Sequence, residues 1–406
     1  MIKILVETTD NGGCGKYRCV DPHQYLSNLY ISEYQVIIKE NIDYQDINFL
    51  KEFDAIFIHR LPKISINLIP QAICNIKNLG IKLILDYDDY LDVDISHPMY
   101  QQYRMFRIPQ LQIEIIKLAD MVITPTHILQ KFLKQFNPKT YVIPNGIDPN
   151  EKQFQIKKEK SERLRIGWMG GASHIEDIKL LLNISNTIKN TNTKFYLGGF
   201  NVNGKKQIID TNGNKQEIPI EPEEFIYQQY ENIITNNHSI ISKEYSELLW
   251  EQNEINEINI KEKYKDEVYE RIWTKDINQY ATGYNKFDVS LAPLKDTKFN
   301  LYKSQLKIIE AGFFHMPIIV SDYGPYQIDL INAYDRGNNI NSKGNSLMVD
   351  PNRNHKMWNK YIKLLNNTPN LVEDLGEKLY EVVKDKYNLI NITKIRHEIY
   401  QTLYDN

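Results

Sequence analysis

FDVSLAPLKDTKFNLYKSQLKIIEAGFFHMPIIVSDYGPY, residues 287–326, is the stretch from which the rest of the chain is read. Phe287–Leu291 is a short β-rich run bounded by polar residues. Ser304 has the side chain of a helix N-cap, and Ser304, Lys307 and Glu310 then fall on one i, i+3 row. Pro317–Val320 is a second apolar run. Strand, loop, helix and buried strand in this order make a βαβ unit. Strands covered on both faces of a parallel sheet read as near-continuous apolar runs, as these do.

The alternation extends in both directions. Leu164–Met169 and Lys194–Leu197 come before this block, and Ser346–Val349 after it. The start of the chain has its own set: Ile2–Val6, Phe53–His59, Ile81–Leu85, Met121–Thr124 and Tyr141–Ile143, with a helical pattern over Met99–Leu118 among the intervening segments. Between the two sets, Glu151–Arg163 (EKQFQIKKEKSER) has no apolar period and reads as a linker. A chain of 406 residues exceeds one core, since single cores stop growing at about 250–300 residues. The expectation is therefore an α/β protein with two Rossmann-like domains and parallel sheets, over residues 1–150 and 164–389. The pattern degrades over 201–269, which reads as an insertion in the second domain. It comprises a polar hairpin, Gly204–Pro219, turning at Asn212–Gly213–Asn214, and a helical segment, Glu221–Glu270. The end, Asn354–Asp405, is helical by pattern.

A net charge of −3 and a pI near 6.3 show no basic excess of the kind that nucleic-acid binders carry. Cys14, Cys19 and Cys74 form neither a disulfide framework nor paired metal-ligand pairs, which fits a reducing compartment. MIKILVETTD reads as a first strand, because Lys3 and Glu7 interrupt it too early for a secretory signal. No apolar run reaches the length of a membrane span, about 18 residues. Peripheral membrane contact stays open.

Three stretches carry candidate chemistry. The first is TTDNGGCGKYR, residues 8–18. It lacks the first Gly and the Ser/Thr of a P-loop, and Arg18 stands where a dinucleotide fingerprint needs its third Gly. What remains is a glycine-rich turn after a strand, where Gly12, Gly13 and Arg18 are placed to approach phosphate. The second is RIGWMGGASHIED, residues 165–177, in which Gly170 and Gly171 precede a helix capped by Ser173 and starting at His174. Such a helix start attracts anions. The third is the acidic run DYDDYLDVD, residues 86–94, followed by His97–Pro98. It reads either as a solvated loop or as an acid–base site in which His97, Asp88 or Asp89 orients or deprotonates an acceptor hydroxyl. Asp-x-Asp also suits a hard cation. His59–Arg60, at another strand end, points the same way less specifically.

YVIPNGID, residues 141–148, and the block 287–326 resemble the family 4 glycosyltransferases of the GT-B fold. The block matches at Glu310–Ala311, Met316–Pro317–Ile318–Ile319 and Ser321. It departs at Tyr302, where the family has a first Glu, and the Arg/Lys pair expected after Gly170–Gly171 is absent. Asn300, Lys303, Ser304, Lys307 and Glu310 match a pattern found in a phage and bacterial subset. The resemblance implies two facing Rossmann-like domains, the N-terminal one on the acceptor side and the C-terminal one binding nucleotide sugar. It implies that the final helix, Ile390–Tyr404, crosses back to the first domain. It implies a retaining transfer from a nucleoside-diphosphate sugar, with Glu310 on the donor ribose and Lys303, Ser304 and Lys307 near the diphosphate. No separate cofactor or metal is implied. The acceptor is a surface glycan, a lipid-linked sugar or a hydroxylated DNA base, and the location the cytoplasm, the host's if phage-encoded. The rivals are a sugar-nucleotide epimerase or hydrolase, and a non-catalytic sugar- or nucleic-acid-binding relative.

Overall fold

The computed structural model describes residues 1–10, 12–95, 97, 99–201, 205–209, 215–219, 225–246, 266–334, 340–352 and 356–404. The chain forms two compact units. One comprises Met1–Glu151, Asp296–Glu310 and Val382–Asn406, and the other Lys152–Lys295 and Ala311–Glu381.

The first unit is built on β1 (Ile2–Glu7), β2 (Tyr34–Lys39), β3 (Ala55–His59), β4 (Lys82–Asp86), β5 (Met121–Thr124) and β6 (Thr140–Val142). They form one parallel sheet in the order β2-β1-β3-β4-β5-β6. Every residue of the inner strands β3 and β5 is buried. The pairing sets Ile58 beside Glu7 and His59 beside Asp86. Polar residues thus gather at the carboxyl ends of the strands, where ligands of such sheets bind. The strand β2, YQVIIK, escapes the sequence reading because it is an edge strand, part-exposed and broken by Gln35.

The single helix expected over Met99–Leu118 is two, Tyr100–Met105 and Ile108–Leu118. Arg107 between them is left-handed (φ 49°) and Pro109 sits in the first turn of the second, where its missing N–H costs nothing. The closing helix, Leu389–Gln401, belongs to this unit and packs on Asp21–Leu29. There His23 Nε2 meets the Tyr400 hydroxyl at 2.9 Å and the Tyr30 and His397 rings stack at 3.8 Å. Residues 296–310, which the alternation assigns to the second half, also pack here. The Tyr302 ring stacks on Tyr90 and lies against Phe132, at 5.1 Å from each.

The second unit contains β7 (Leu164–Met169), β8 (Thr193–Phe200), β9 (Lys205–Ile209), β10 (Lys215–Pro219), β11 (Tyr269–Trp273), β12 (Val289–Ala292), β13 (Ile318–Ser321) and β14 (Leu347–Val349). Six of them form a parallel sheet, β11-β8-β7-β12-β13-β14, and β9 and β10 pair antiparallel. In β7, a Cβ on Gly167 would come within 2.1 Å of the Phe287 ring, so only glycine lets the two pack. The expected helix over Glu221–Glu270 is not continuous: Ile226–Thr235 is helical, and its last residues lead into the edge strand β11. Arg271 of β11 binds Glu231 through Nε and Nη2, both at 2.6 Å, with both side chains fully buried. Tyr230 and Ile234 of the same helix join the main core, so this part of the expected insertion is integral to the unit. The Asn212–Gly213–Asn214 turn and residues 247–265 lie outside the described residues. Lys152–Phe154, in the expected linker, form a short 3-10 turn with Phe154 buried. Among the described residues no helix is long and apolar enough to cross a membrane.

Candidate functional site

The site in the first unit is built around Asp88, just beyond β4. Its Oδ1 meets His59 Nε2 at 2.9 Å and accepts from Arg60 Nε at 3.0 Å and Nη2 at 2.6 Å; Arg60 Nη2 also reaches Asp89 Oδ2 at 2.6 Å. Burial opposes ionisation of Asp88, yet Arg60 and His59 hold its carboxyl well below the usual range. Burial raises Asp89, with Arg60 opposing and Asp88 adding. Arg60 sits in the left-handed region (φ 66°), a strained place for a side chain as large as this. It is held there from its own backbone, whose N–H donates to Asp86 O at 2.8 Å and whose carbonyl accepts the Tyr87 hydroxyl at 2.8 Å. Strained backbone of this kind is found where a side chain must be aimed.

His97, the other histidine in reach, has its ring 5.8 Å from that of Phe299. Burial lowers its pKa, against Asp89, while Lys303 lowers it further. Lys303 acts on Asp89 as well. The structure therefore brings Asp89 and His97 into electrostatic range of Lys303, more than 200 residues away in the chain. It adds His59, which the sequence ranked below His97. Pro98 lies outside the described residues.

Cys14 completes this wall, its Sγ 3.4 Å from Asp88 Oδ2. Cys14, His59 and Asp88 offer ligand atoms within 4.8 Å of one another. Burial, with Asp88 adding, pushes the Cys14 thiol well above its ordinary pKa, and Asp88 is already paired with Arg60.

Two sequence-predicted phosphate contacts take other roles. Arg18 is 1% exposed and its guanidinium is spent inside the fold. Nε and Nη2 bind Asp86 at 3.0 and 2.8 Å, and Nη1 binds Ile143 O at 2.9 Å and Asn145 Oδ1 at 3.0 Å. Asn145 Nδ2 in turn donates to Ser304 Oγ at 3.2 Å. Arg18 is accordingly a positioning residue, out of reach of a ligand. The glycine turn closes on its own carboxylate: Asp10 Oδ1 accepts the N–H of Gly12 at 2.8 Å and of Gly15 at 2.9 Å. A Cβ on Gly15 would strike Asp10 O at 1.9 Å. Asp10 thus occupies the place that a phosphate would take at Gly12, and Gly13 alone faces open space.

Ser304 does not cap the helix, which begins at Leu306; the shared row reduces to Lys307 and Glu310. Glu310 is 4% exposed, in the second turn.

In the second unit, Gly170 and Gly171 follow β7 as expected. Tyr227 and Tyr230 fasten the turn by donating to Gly170 O at 3.0 Å and Gly171 O at 3.3 Å. Ser173 is exposed and caps nothing; His174 takes the cap position, with Nδ1 2.7 Å from Asp177 Oδ2. The helix that follows is a single turn, Ile175–Ile178, with Glu176 and Asp177 in it. So short and acidic a helix is a poor anion site.

Glu7, at the end of β1, is a buried carboxyl that the sequence reading passed over. Oε2 accepts from the Tyr44 hydroxyl at 3.0 Å and Lys63 N at 3.1 Å. Burial raises its pKa from 4.5 to about 7, against Tyr44 and Lys63. A raised acid favours the protonated fold: its stabilisation is full below pH 4.5 and is lost as pH rises through about 7. Wild-type stability should fall between about pH 5 and 8 by on the order of 2–3 kcal/mol. Glu7→Gln should flatten that fall in denaturant titrations. Parallel pH profiles for the two proteins would show that Glu7 does not titrate there.

The chain resembles several solved structures over essentially its whole length. Anabaena Alr3699/HepE in complex with UDP and glucose superposes with a TM-score of 0.61 at 11% identity, covering 99% of this chain and 100% of that one. A glycosyltransferase from Rickettsia africae gives 0.61 at 12% identity, covering 100% and 99%. A UDP-forming α,α-trehalose-phosphate synthase from Burkholderia vietnamiensis gives 0.54 at 8% identity, covering 98% and 96%. At such identities the likeness establishes the fold, which is of the GT-B type with two Rossmann-like units. Neither a family model nor a curated sequence matches the chain.

Proposed function

We propose that this chain is a glycosyltransferase that moves a sugar from a nucleoside-diphosphate sugar to an acceptor hydroxyl. The observation that carries the reading is the convergence of Lys303 with Asp89 and His97 beyond the carboxyl ends of a parallel sheet, with Lys303 and His97 both beside the Phe299 ring. The fold, shared with a protein solved with UDP and glucose, supports it. So does the resemblance of residues 141–148 and 287–326 to family 4 enzymes, which further implies the phage or bacterial subset and retention of configuration.

In this reading Lys303 and Lys307 meet the diphosphate charge, Ser304 is set by Asn145, and Glu310 holds the donor ribose. His97, neutral at pH 7, and the ionised Asp88 with its partner His59 orient the acceptor hydroxyl. The work is positioning and electrostatic stabilisation of the leaving diphosphate. A glycan or lipid-linked sugar is the better acceptor. The net charge of −3 and the acidic run 86–94 disfavour DNA.

A transfer assay tests this. Incubation with nucleoside-diphosphate sugars and saccharide acceptors should yield nucleoside diphosphate together with a new glycoside, without added metal. Free sugar or an epimerised donor, formed equally well without acceptor, would replace the transferase by the hydrolase or epimerase. Intact donor with every acceptor would favour a binding protein.

A further inference from the structure

The backbone of Lys303 is fixed by its chain neighbours, and its side chain is aimed by one ring. Phe299 lies on a single helical turn, Lys298–Leu301, capped by Thr297, whose Oγ1 accepts Asn300 N–H at 3.2 Å. Lys303 N donates to Asn300 O at 3.3 Å, which carries the turn on and sets Lys303 four residues after Phe299 on the same side. Before Lys303, the Tyr302 ring is held by Tyr90 and Phe132, whose own rings are 5.1 Å apart. After it, Ser304 accepts from Asn145. What remains to be directed is the flexible four-carbon stem. Its ammonium lies 5.3 Å from the centre of the Phe299 ring, within cation–π reach. Among the described residues that ammonium makes no hydrogen bond and no ion pair. Arg60, by contrast, is committed to Asp88 and Asp89.

The same ring packs on His97, with the two ring centres 5.8 Å apart. His97 is fixed from the backbone: its Nδ1 accepts Met99 N–H at 3.1 Å and its carbonyl accepts Tyr100 N–H at 2.9 Å. The neutral imidazole therefore carries its proton on Nε2. Four charged groups act on it. Asp89 and Asp94 favour the imidazolium, and Lys303 and Arg60 oppose it. Of the two cations Arg60 is already paired, which leaves Lys303 to meet an incoming anion.

We infer that Phe299 is a positioning residue that holds the Lys303 ammonium next to His97, so that an anion taken up by Lys303 changes the charge facing the histidine. The donor side of the site is thereby coupled to its acceptor side through one phenyl ring. Only the identity of the anion, a diphosphate, rests on the proposed function; the arrangement of the three side chains does not.

An NMR titration of the His97 side chain against pH, on the full chain, tests the inference. Lys303→Met removes the charge and should raise the His97 midpoint by roughly half a pH unit. Phe299→Leu and Phe299→Met stay apolar but present no ring face, and each should raise the midpoint in the same direction. Phe299→Tyr restores the face and should keep the wild-type value. A ring needed only for packing would not separate tyrosine from leucine and methionine in this titration. Adding pyrophosphate or UDP should raise the wild-type midpoint, and should raise it less in Phe299→Leu. A midpoint that Lys303→Met moves and neither apolar variant does, or one that none of the variants moves, would overturn the inference. The two readings fail separately. Shifts in the apolar variants with no response of wild type to pyrophosphate or UDP would keep Phe299 as the positioning residue and remove Lys303 from the donor site. Equal responses to UDP in wild type and both apolar variants would keep the donor site and overturn the role of Phe299.

Discussion

Arg18→Met should destabilise the first unit by about 3–5 kcal/mol, the cost of leaving one partner of a buried ion pair without the other. Both partners are almost wholly buried, Arg18 at 1% and Asp86 at 0% exposure. Burial lowers the Arg18 pKa and Asp86 more than restores it, so the guanidinium stays charged inside the fold. Methionine replaces the stem but none of the four hydrogen bonds to Asp86, Ile143 and Asn145. Asn145 then loses the contact that orients it toward Ser304. Chemical denaturation should show the loss as an earlier midpoint with an unchanged slope. Arg18→Met with Asp86→Leu should recover much of it, because no lone charge is left behind. A single variant as stable as wild type would mean that the pair contributes nothing, and would reopen Arg18 as a ligand contact.

That Arg18 is structural could not be read from TTDNGGCGKYR. Its partner lies 68 residues on, and only the order of β1, β3 and β4 brings the two together. The same sheet order explains His59. In the sequence, His97 adjoins the acidic run and His59 does not. In the fold, the β3–β4 register sets His59 beside Asp86, two residues from Asp88. Interior strands were legible because burial on both faces writes continuous apolar runs. The edge strands β2 and β11 were not: β2 is half-exposed, and Arg271 of β11 hides a buried ion pair that local pattern cannot show. The break at Arg107 was signalled by Pro109, which permits a helix to start but does not by itself end the one before it. Residues 296–310 pack in the first unit through Tyr302, the residue that departs from the family motif. Its stacking on Tyr90 gives that departure a local structural role.

Glu310→Ala should weaken donor binding by about 10–150-fold, since hydrogen bonds to a charged group contribute roughly 1.5–3 kcal/mol and each decade is about 1.4 kcal/mol. Glu310 follows Lys307 by three residues on the helix that opens at Leu306, and it matches the family's ribose-binding Glu in the best-matched part of the chain. Glu310→Gln should lose less, because the amide oxygen still accepts one hydroxyl. At 4% exposure the side chain is also part of the packing, so the glutamine variant, of equal volume, is the cleaner probe. Its melting temperature should stay near that of wild type. The measurement that bears most directly on the account is calorimetric titration of nucleoside-diphosphate sugars into wild type and Glu310→Gln. The account predicts that wild type binds at least one such donor and that the variant, equally folded, binds it several-fold more weakly. No binding by wild type, or the same affinity in both proteins, would contradict it.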